Sequence, residues 1–371
     1  MKRIPSVGSH GQPEPRRALR VLHLLGGLNP SGMERMLVSG APHFRDQNVE
    51  SIVVGQGSHH PYAAELRAAG YILDFIPPVR SVKGARALQR VIRSRQVDVV
   101  HIHSESGYSL SAAAARFSRG RPAVIRTVHN VFKPEGRARF TRKLQSAIGD
   151  KIAHSVIAPS PDVQLNEANY GRTTTLIYNW ISDRISGVGR TAALQLEPGQ
   201  APSALIVGNC SIIKNHDFLL EQLYFLGFDL YHHGAESGAS KEESRWLNKF
   251  KESGRLRYRG VGDPVESLLQ ASVFVMPSKQ EGMPVALAEA ISVGLPCLVN
   301  DVPGLRWARS VRGVRVVPND SQVWNVELQK FADHQSNFAL GELAPDFQAE
   351  RGVGQYVRLY REAATTRRRS R

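Results

Sequence analysis

The sequence is poor in several features that mark whole classes of protein. It has two cysteines in 371 residues, Cys210 and Cys297, which excludes a disulfide framework, predicts no four-ligand metal cluster and favours a reducing compartment. No stretch approaches the roughly 18 consecutive apolar residues of a membrane-spanning helix. Residues 1–17 lack the apolar core of a secretion signal, and we expect them to form a disordered tail. The hydrophobic content of 42% is enough to build buried cores.

Positive charge is abundant and unevenly placed. The formal net charge is +15, and residues 1–186 hold 26 Lys and Arg against 13 Asp and Glu. Four of these bases, Lys83, Arg86, Arg90 and Arg93, recur at helical spacing and would share one face of a helix. Such a face indicates an anionic membrane surface or a solvated exterior. Nucleic acid is not expected as a partner, because no aromatic residues interleave with these bases for stacking.

Short apolar runs alternate with helical patterns through both halves of the chain, which is typical of parallel sheets covered by helices. The sequence therefore predicts an α/β protein of two doubly wound, Rossmann-like domains facing each other across a cleft. Ligands of such sheets bind beyond the carboxyl ends of the strands. The predicted domains cover 18–182 and 203–354, with a linker at 183–202 and a C-terminal helix and basic tail at 355–371. The predicted strands cover 19–27, 51–56, 71–77, 98–104, 123–130, 154–160, 174–179, 203–209, 228–234, 255–261, 273–278, 296–301 and 314–319.

Residues able to carry chemistry follow several predicted strands. The first strand runs into GGLNPSGMERML (26–37), which reads either as an ordinary turn or as a glycine loop presenting N–H groups to an anion. His129 ends the strand AVIRTVHN, where an imidazole can handle a proton or serve structurally. Lys214 stands near the start of a helix, as a solvent-facing loop lysine or beside an anionic ligand. His101 and His103 would share one face of a strand, but no third ligand stands at a spacing typical of zinc sites.

The segment SKQEGMPVALAEAISVGLP (278–296) holds two carboxylates around the start of an apolar helix. Pro284 fits the first helical position, where its missing N–H costs nothing. The N–H groups of Gly282 and Met283 would then face the cleft as anion donors, and Glu281 would project over a ligand. Glu289 interrupts the apolar helix, where it lies on an exposed edge or is buried. A buried carboxylate needs hydrogen-bond donors, and the hydroxyls of a ribose would suit it.

Together these motifs resemble the retaining glycosyltransferases of family 4, which have the GT-B fold. The signature of that family is E-G-x-P followed by a second Glu eight positions after the first. Glu281-Gly282-Met283-Pro284 and Glu289 match it. The glycine loop, DVVHIH and the strand ending in His-Asn follow in the same order, so that the resemblance covers the chain from about residue 18.

The resemblance implies roles for particular residues. Glu281, His129 and Lys214 would act at the reaction centre, and Glu289 would hold the donor ribose. The implied donor-binding residues are Gly27, Ser31, Gly32, Asn209, Lys214, Gly282, Met283, Pro284 and Glu289. No metal ligand and no cofactor are assigned. The substrate would be a UDP- or GDP-sugar, and the absence of Asp-x-Asp from the sequence fits metal-independent transfer.

The implied function is transfer of a sugar, with retention, from a nucleotide sugar to a lipid-linked or surface-polysaccharide acceptor. The predicted partners are the nucleotide sugar, the glycan or lipid-linked acceptor and an anionic membrane surface. The predicted location is the cytoplasm, with peripheral attachment to the inner face of the cell membrane.

Two departures from the family pattern keep alternatives open. Asn209 replaces the arginine expected five positions before Lys214, which removes a bidentate phosphate contact. The usual N-G-x-D is altered to Asn179-Trp180-Ile181-Ser182. One alternative is an inactive GT-B-like protein that binds a nucleotide sugar or glycan. Another is a sugar-nucleotide epimerase on the same fold.

Overall fold

A computed structural model describes residues 17–131, 136–186, 188, 200–333 and 341–369. The predicted tail apart from residue 17, residues 187 and 189–199 of the predicted linker, and the last two residues of the predicted basic tail lie outside this described part.

A parallel sheet of seven strands forms the N-terminal domain. Its strands are β1 (Leu19–Leu24), β2 (Val49–Gln56), β3 (Ile72–Ile76), β4 (Val99–Ile102), β5 (Ala123–Thr127), β6 (Ser155–Ala158) and β7 (Thr175–Leu176). Its helices are α1 (Gly32–Asp46), α2 (Ala63–Ala68), α3 (Val82–Ser94), α4 (Tyr108–Arg116), α5 (Gly136–Ile152), α6 (Pro161–Ala168) and α7 (Asp183–Ser186). The strand order is β3-β2-β1-β4-β5-β6-β7, a doubly wound arrangement in which central strands such as β4 are buried along their whole length.

A second parallel sheet, of six strands, forms the C-terminal domain. Its strands are β8 (Ser203–Val207), β9 (Asp229–His233), β10 (Leu256–Gly260), β11 (Val273–Met276), β12 (Cys297–Asn300) and β13 (Val314–Val317). The helices are α8 (Asp217–Phe225), α9 (Lys241–Glu252), α10 (Val265–Gln270), α11 (Val285–Ser292), α12 (Ser321–Ala332) and α13 (Ala349–Arg369), with short 3-10 helices at Arg306–Ser310 and Pro345–Phe347. The strand order is β10-β9-β8-β11-β12-β13.

The fold predicted from the sequence is confirmed. Each predicted strand is present and begins within two residues of its predicted start. Most strands end earlier than predicted, because the residues after the apolar run turn away from the sheet to form the loops at its carboxyl edge.

The last helix, α13, begins at Ala349, before the predicted start at 355, and it packs on the N-terminal domain. Tyr356 and Tyr360 are buried in the core that α13 forms with α1 and β5. The indole of Trp180 joins the same core and donates a hydrogen bond to the carbonyl of Met36 at 2.8 Å. The chain therefore passes between the domains twice. The two passages lie side by side, since the N–H of Ile181 donates to the carbonyl of Phe347 at 3.0 Å.

The surface of the N-terminal domain carries the basic face predicted from the sequence. Lys83, Arg86, Arg90 and Arg93 are all exposed on α3, which confirms that they share one face. None of the described helices combines the length and apolarity that spanning a bilayer would require.

Candidate functional site

The carboxyl edges of the two sheets face a cleft between the domains. Two adjoining cavities of about 1000 Å³ and about 600 Å³ occupy it. The described lining of the smaller cavity contains nine of the predicted site residues, namely Ser31, Gly32, His129, Asn209, Lys214, Glu281, Met283, Pro284 and Glu289. Gly27 and Gly282 are absent from the described lining of both cavities. The structure thus brings most of the predicted site together from both domains.

Lys214 and Glu281 form an ion pair at the floor of the cleft. Lys214 Nζ lies 2.7 Å from Glu281 Oε1, and the two side chains are 24% and 9% exposed. The lysine stem passes over Gly208, whose missing side chain leaves room for it, because a Cβ there would lie 3.3 Å from Lys214 Cε. A cation held beside a cleft in this way can meet an anionic ligand without first being desolvated.

Gly282 lies at the seam between the domains, and it was predicted to be an anion donor in the cleft. A Cβ on Gly282 would stand 1.7 Å from the carbonyl oxygen of His129. Its own carbonyl accepts a hydrogen bond from Ser160 Oγ at 2.8 Å. Asn179 continues the seam by donating its side-chain amide to the carbonyl of Met283 at 2.8 Å. Glycine is required here because two backbone segments approach too closely for any side chain.

Pro284 stands one residue outside its predicted place. Helix α11 begins at Val285, and Pro284 is its N-cap residue with φ −72° and ψ 122°. Both residues line the cleft. The start of this helix therefore faces the cavity, as the motif predicts.

Glu289 projects from α11 towards the cleft and is 6% exposed. Burial raises its pKa to about 7, while the guanidinium of Arg35 opposes that rise and Asp263 adds to it. No described residue donates a hydrogen bond to its carboxylate, whose pKa is shifted by burial and by these two charges alone. A carboxyl group without a donor at the edge of a cleft is well suited to accept hydrogen bonds from the hydroxyl groups of a ligand.

The glycine loop is held by a glutamate that the sequence analysis missed. Glu34 accepts hydrogen bonds from the hydroxyl of Ser31 and, at 3.2 Å, from the N–H of Asn29. Ser31 is the N-cap residue of α1, and Ser-x-x-Glu at a helix start is the capping-box pattern that could have identified Glu34. In this arrangement the Ser31 hydroxyl is directed to Glu34, while Gly32 lies beside Val285 across the cleft.

Arg35 is the second residue that the sequence analysis missed. It reaches from α1 across the cleft and donates to the carbonyl of Gly262 at 2.8 Å. It lines both cavities together with Asn209 and Glu289. Asn209, which stands in place of an expected arginine, accepts the N–H of Ala235 at 2.9 Å through its Oδ1. The cleft therefore has a guanidinium after all, and the opposite domain supplies it.

A row of histidines runs from the cleft into the N-terminal domain. His129 Nε2 lies 3.0 Å from His103 Nδ1, and His103 Nε2 lies 3.2 Å from His23 Nδ1. Burial lowers the pKa of His129 to about 4 and that of His23 to about 3, so the imidazoles are neutral at neutral pH. Each contact between neutral rings needs one donor and one acceptor, so the tautomer of His129 is tied to those of the other two.

The rings of His101 and His103 lie on the same face, as predicted, with centroids 4.0 Å apart. His101 is anchored by Thr127 Oγ1 at 2.8 Å and by the hydroxyl of Tyr360 at 2.7 Å. The tyrosine belongs to α13, so the last helix helps to position the row of histidines.

Away from the cleft, the C-terminal domain gathers four further side chains that the sequence analysis did not single out as a group. Cys210, His216, His232 and Glu243 are all buried, and one ligand-capable atom of each lies within 4.8 Å of those of the other three. The expectation of no four-ligand metal cluster counted cysteines alone and stays a prediction, since this group would need only one cysteine.

Comparison with known proteins places the chain among glycosyltransferases. The relatives include EpsF of Bacillus subtilis (strain 168), 26% identical over 76% of this chain and 79% of that protein. They also include the UDP-Gal:alpha-D-GlcNAc-diphosphoundecaprenol alpha-1,3-galactosyltransferase of Escherichia coli, 26% identical over 61% of this chain and 63% of that enzyme. Among solved structures, Anabaena HepE in complex with UDP and glucose matches with a TM-score of 0.72 at 16% identity, covering 94% of this chain and 99% of HepE.

Two family models divide the chain between them. The model described as Glycosyltransferase Family 4 matches residues 30–184, and the model described as Glycosyl transferases group 1 matches residues 201–333. The first covers His103, His129 and the glycine loop from residue 30 onwards, and the second covers Lys214, Glu281 and Glu289. The two matches together span most of the chain, which is a glycosyltransferase of the family 4 and group 1 type with the GT-B fold.

Proposed function

We propose that this chain is a retaining, metal-independent glycosyltransferase that uses a UDP- or GDP-sugar and an acceptor held at an anionic membrane surface. The observation that carries the proposal is the convergence of Glu281, Lys214, Glu289 and His129 on one interdomain cleft. A carboxylate suited to a ribose, a cation suited to a diphosphate and a neutral imidazole suited to a sugar hydroxyl are the groups that such a substrate requires.

The nucleoside would bind against the C-terminal domain. The carboxyl group of Glu289 would accept hydrogen bonds from the ribose hydroxyls, which would satisfy a group that is buried without a donor among the described residues.

The diphosphate would lie between the two domains. Lys214 would contact it from the C-terminal domain, and Arg35 would replace, from the N-terminal domain, the cation lost at Asn209. A guanidinium can bind two phosphate oxygens at once, so Arg35 would supply the bidentate contact. Binding of the donor would then pull the two domains together, because each contributes one cation.

The transfer itself would break the bond between the anomeric carbon of the sugar and the phosphate oxygen. An acceptor hydroxyl would form the new bond on the same face, and its proton would pass to the departing phosphate oxygen. The nucleoside diphosphate carries the negative charge that develops, and Lys214 and Arg35 would stabilise it without a divalent cation. His129 would contact a sugar hydroxyl, and Glu281 would hold the sugar beside the positive charge that forms on its ring.

The acceptor would come from a membrane surface next to the N-terminal domain. Beyond the basic face of α3, helix α5 exposes Phe140, Leu144 and Ile148 at spacings of four residues, and Phe117 at the end of α4 is 75% exposed. Exposed apolar side chains next to basic ones are typical of surfaces that lie in a lipid interface. The E. coli relative is named for a diphosphoundecaprenol substrate, which supports a lipid-linked acceptor here.

The proposal is tested first by thermal denaturation with UDP, GDP, ADP, CMP and dTDP, each with and without magnesium. A nucleotide present at 100 times its dissociation constant stabilises a protein by about 2.7 kcal/mol. We expect UDP or GDP to raise the melting temperature equally in both conditions. Product analysis by NMR with the identified donor should then show the anomeric configuration of the donor. A shift that requires magnesium, or inversion in the product, would contradict the proposal.

Asn209 is the observation that favours a second function, binding of a nucleotide sugar without transfer. Tight nucleotide binding together with no detectable transfer or hydrolysis would favour this second function. A change in the sugar of the donor, without any acceptor present, would instead identify an epimerase.

The Glu289→Gln variant should bind UDP or GDP about ten- to a hundred-fold more weakly. A hydrogen bond to a charged group contributes about 1.5–3 kcal/mol, and the amide replaces the carboxylate at nearly the same volume. Isothermal titration calorimetry measures the effect. Glu266→Gln removes the same charge from an exposed position on α10 and should leave the affinity unchanged. Equal affinities in all three proteins would remove Glu289 from the ribose site.

The pH dependence of Glu289 follows from its pKa of about 7. As pH rises from 6 to 8 the carboxylate replaces the carboxylic acid, so affinity for the nucleotide sugar should increase, and the Gln variant should not show this increase. A nucleotide sugar is the right ligand, because the terminal phosphate of a free nucleotide itself titrates near about 6.

The raised pKa of Glu289 also affects stability. The free energy of unfolding should fall as the pH rises from the ordinary pKa of a glutamate towards 7, because the folded chain binds more protons than the unfolded chain in that range. That fall should disappear in the variant.

Replacing Lys83, Arg86, Arg90 and Arg93 by Gln should weaken binding to anionic vesicles by at least about a hundred-fold, since each base near such a surface contributes about 1 kcal/mol. A matched control replaces Lys241, Arg245, Lys249 and Lys251 on α9 of the other domain, which changes the net charge equally. Vesicle sedimentation compares the two. Equal losses would mean that only net charge matters, and no loss would mean that the face of α3 is merely solvated.

A further inference from the structure

We propose that the C-terminal domain binds one structural zinc ion through Cys210, His216, His232 and Glu243. The four side chains come from four places in the chain: the loop after β8, the start of α8, strand β9 and helix α9. None of them belongs to the described lining of the cleft. The site therefore lies outside the cleft.

The four ligand atoms are already close to the arrangement that zinc requires. Cys210 Sγ lies 3.5 Å from His232 Nε2, His216 Nδ1 lies 2.7 Å from Glu243 Oε1, and one ligand-capable atom of each of the four side chains lies within 4.8 Å of those of the others. Ligands at about 2.0–2.3 Å from a tetrahedral zinc ion stand roughly 3.5 Å from one another. Adjustments of about an ångström in side-chain position would complete the site.

Charge and burial also favour a metal ion. All four side chains are 3% exposed or less. A thiolate and a carboxylate balance the two positive charges of zinc, and two neutral imidazoles complete a set with no net charge. Burying a set of groups with no net charge has a lower desolvation cost than burying unbalanced charges. Thiolate and imidazole together select zinc over magnesium or calcium, which prefer oxygen ligands.

A second group of buried imidazoles in the N-terminal domain lacks these properties. His23, His101 and His103 also lie within reach of one another, but they include no anionic ligand. Two of their nitrogens are engaged by Thr127 and Tyr360. We therefore expect one zinc ion per chain and not two.

The zinc ion would fix the loop that carries the diphosphate-binding residues. Cys210 and His216 lie on either side of Lys214, and the N–H of Cys210 donates to the carbonyl of Ala235 at 2.9 Å. The metal would join this loop to β9 and α9 and hold Lys214 towards the cleft. Removal of zinc should thus loosen the loop without removing any residue of the cleft.

The first measurement is the metal content of the untagged full chain, expressed with zinc and purified without chelators. Inductively coupled plasma mass spectrometry should find roughly one zinc ion per chain. Cys210→Ser should lose it. Cys297→Ser is the matched control, because Cys297 is also buried but donates its thiol to the carbonyl of Leu295 at 3.1 Å.

Cobalt supplies a second readout that requires no variant. The metal-stripped wild-type chain, given Co²⁺, should show the thiolate-to-cobalt charge-transfer band and the visible bands of tetrahedral cobalt. Cys297→Ser should show the same bands. Cys210→Ser should lose the charge-transfer band, and Glu243→Gln should bind the metal more weakly.

The results separate the outcomes clearly. Metal that depends on Cys210 supports the site. Metal that stays in Cys210→Ser, or a wild-type chain that holds neither zinc nor cobalt, overturns it. None of these outcomes depends on nucleotide binding, so they leave the proposed transferase function untouched.

Discussion

Replacing Lys214 by Ala should lower kcat/KM for sugar transfer by about a thousand-fold. Removing one preorganised group that stabilises developing charge costs a hundred- to a thousand-fold in other enzymes, about 2.7–4 kcal/mol. Lys214 sits at the upper end of that range because it also pairs with Glu281 at 2.7 Å. Its loss would leave a buried carboxylate without a partner beside the departing phosphate.

The control for Lys214 is Lys279→Ala. Lys279 is exposed, and its N–H donates to the carbonyl of Ile213 at 2.8 Å, so it belongs to the neighbouring loop. This variant should keep its activity. Steady-state kinetics with the identified donor, together with melting temperatures of both variants, separate catalysis from folding. If kcat/KM of a folded Lys214→Ala chain fell by less than ten-fold, Arg35 alone would be enough to stabilise the charge on the diphosphate.

Replacing Gly282 by Ala should have the largest effect on the molecule as a whole. The added Cβ would stand 1.7 Å from the carbonyl oxygen and 2.6 Å from the carbonyl carbon of His129. Both atoms belong to the backbone, so no side chain can move aside. We expect a loss of stability of about 3 kcal/mol, at the high end of overpacking effects. Activity should fall at least about a hundred-fold, because displacement by an ångström misaligns the residues on either side.

Gly26→Ala is the matched control for this substitution. Gly26 lines the cleft, but a Cβ there would meet no atom within 4 Å, so the melting temperature should hardly change. Differential scanning calorimetry of both variants measures the contrast. If Gly282→Ala melted at the same temperature as the wild-type chain, the two domains would be apart in solution, and this seam would form only when substrates bind.

The sequence supports the prediction of elements far better than the prediction of contacts. Strand β11 is an uninterrupted apolar run between turn residues, and that pattern is local. Lys214, Glu281 and Glu289 each stand just after a strand or early in the next helix, which suggested a place near a ligand, and the resemblance to family 4 implied their roles. The sheet topology then places such positions at one edge.

The residues that were missed depend on distant segments of the chain. Arg35 donates to Gly262, 227 residues away, and no pattern in the neighbouring sequence predicts that contact. Gly282 was predicted to face the cleft because its loop does, but the close approach of His129 makes it a seam residue. Glu34 is the exception, since the Ser-x-x-Glu pattern was readable from the sequence alone.

The paired passages of the chain between the domains have a mechanical consequence. Ile181 in one passage and Phe347 in the other are joined by a backbone hydrogen bond, and α13 anchors the second passage to the N-terminal domain. Two neighbouring interdomain segments allow the domains to bend about the axis that passes through both segments, but they resist rotation of one domain against the other about any other axis. We therefore expect any opening of the cleft to follow mainly one bending direction, so that Lys214 and Arg35, which both line the cleft, return to their places each time it closes.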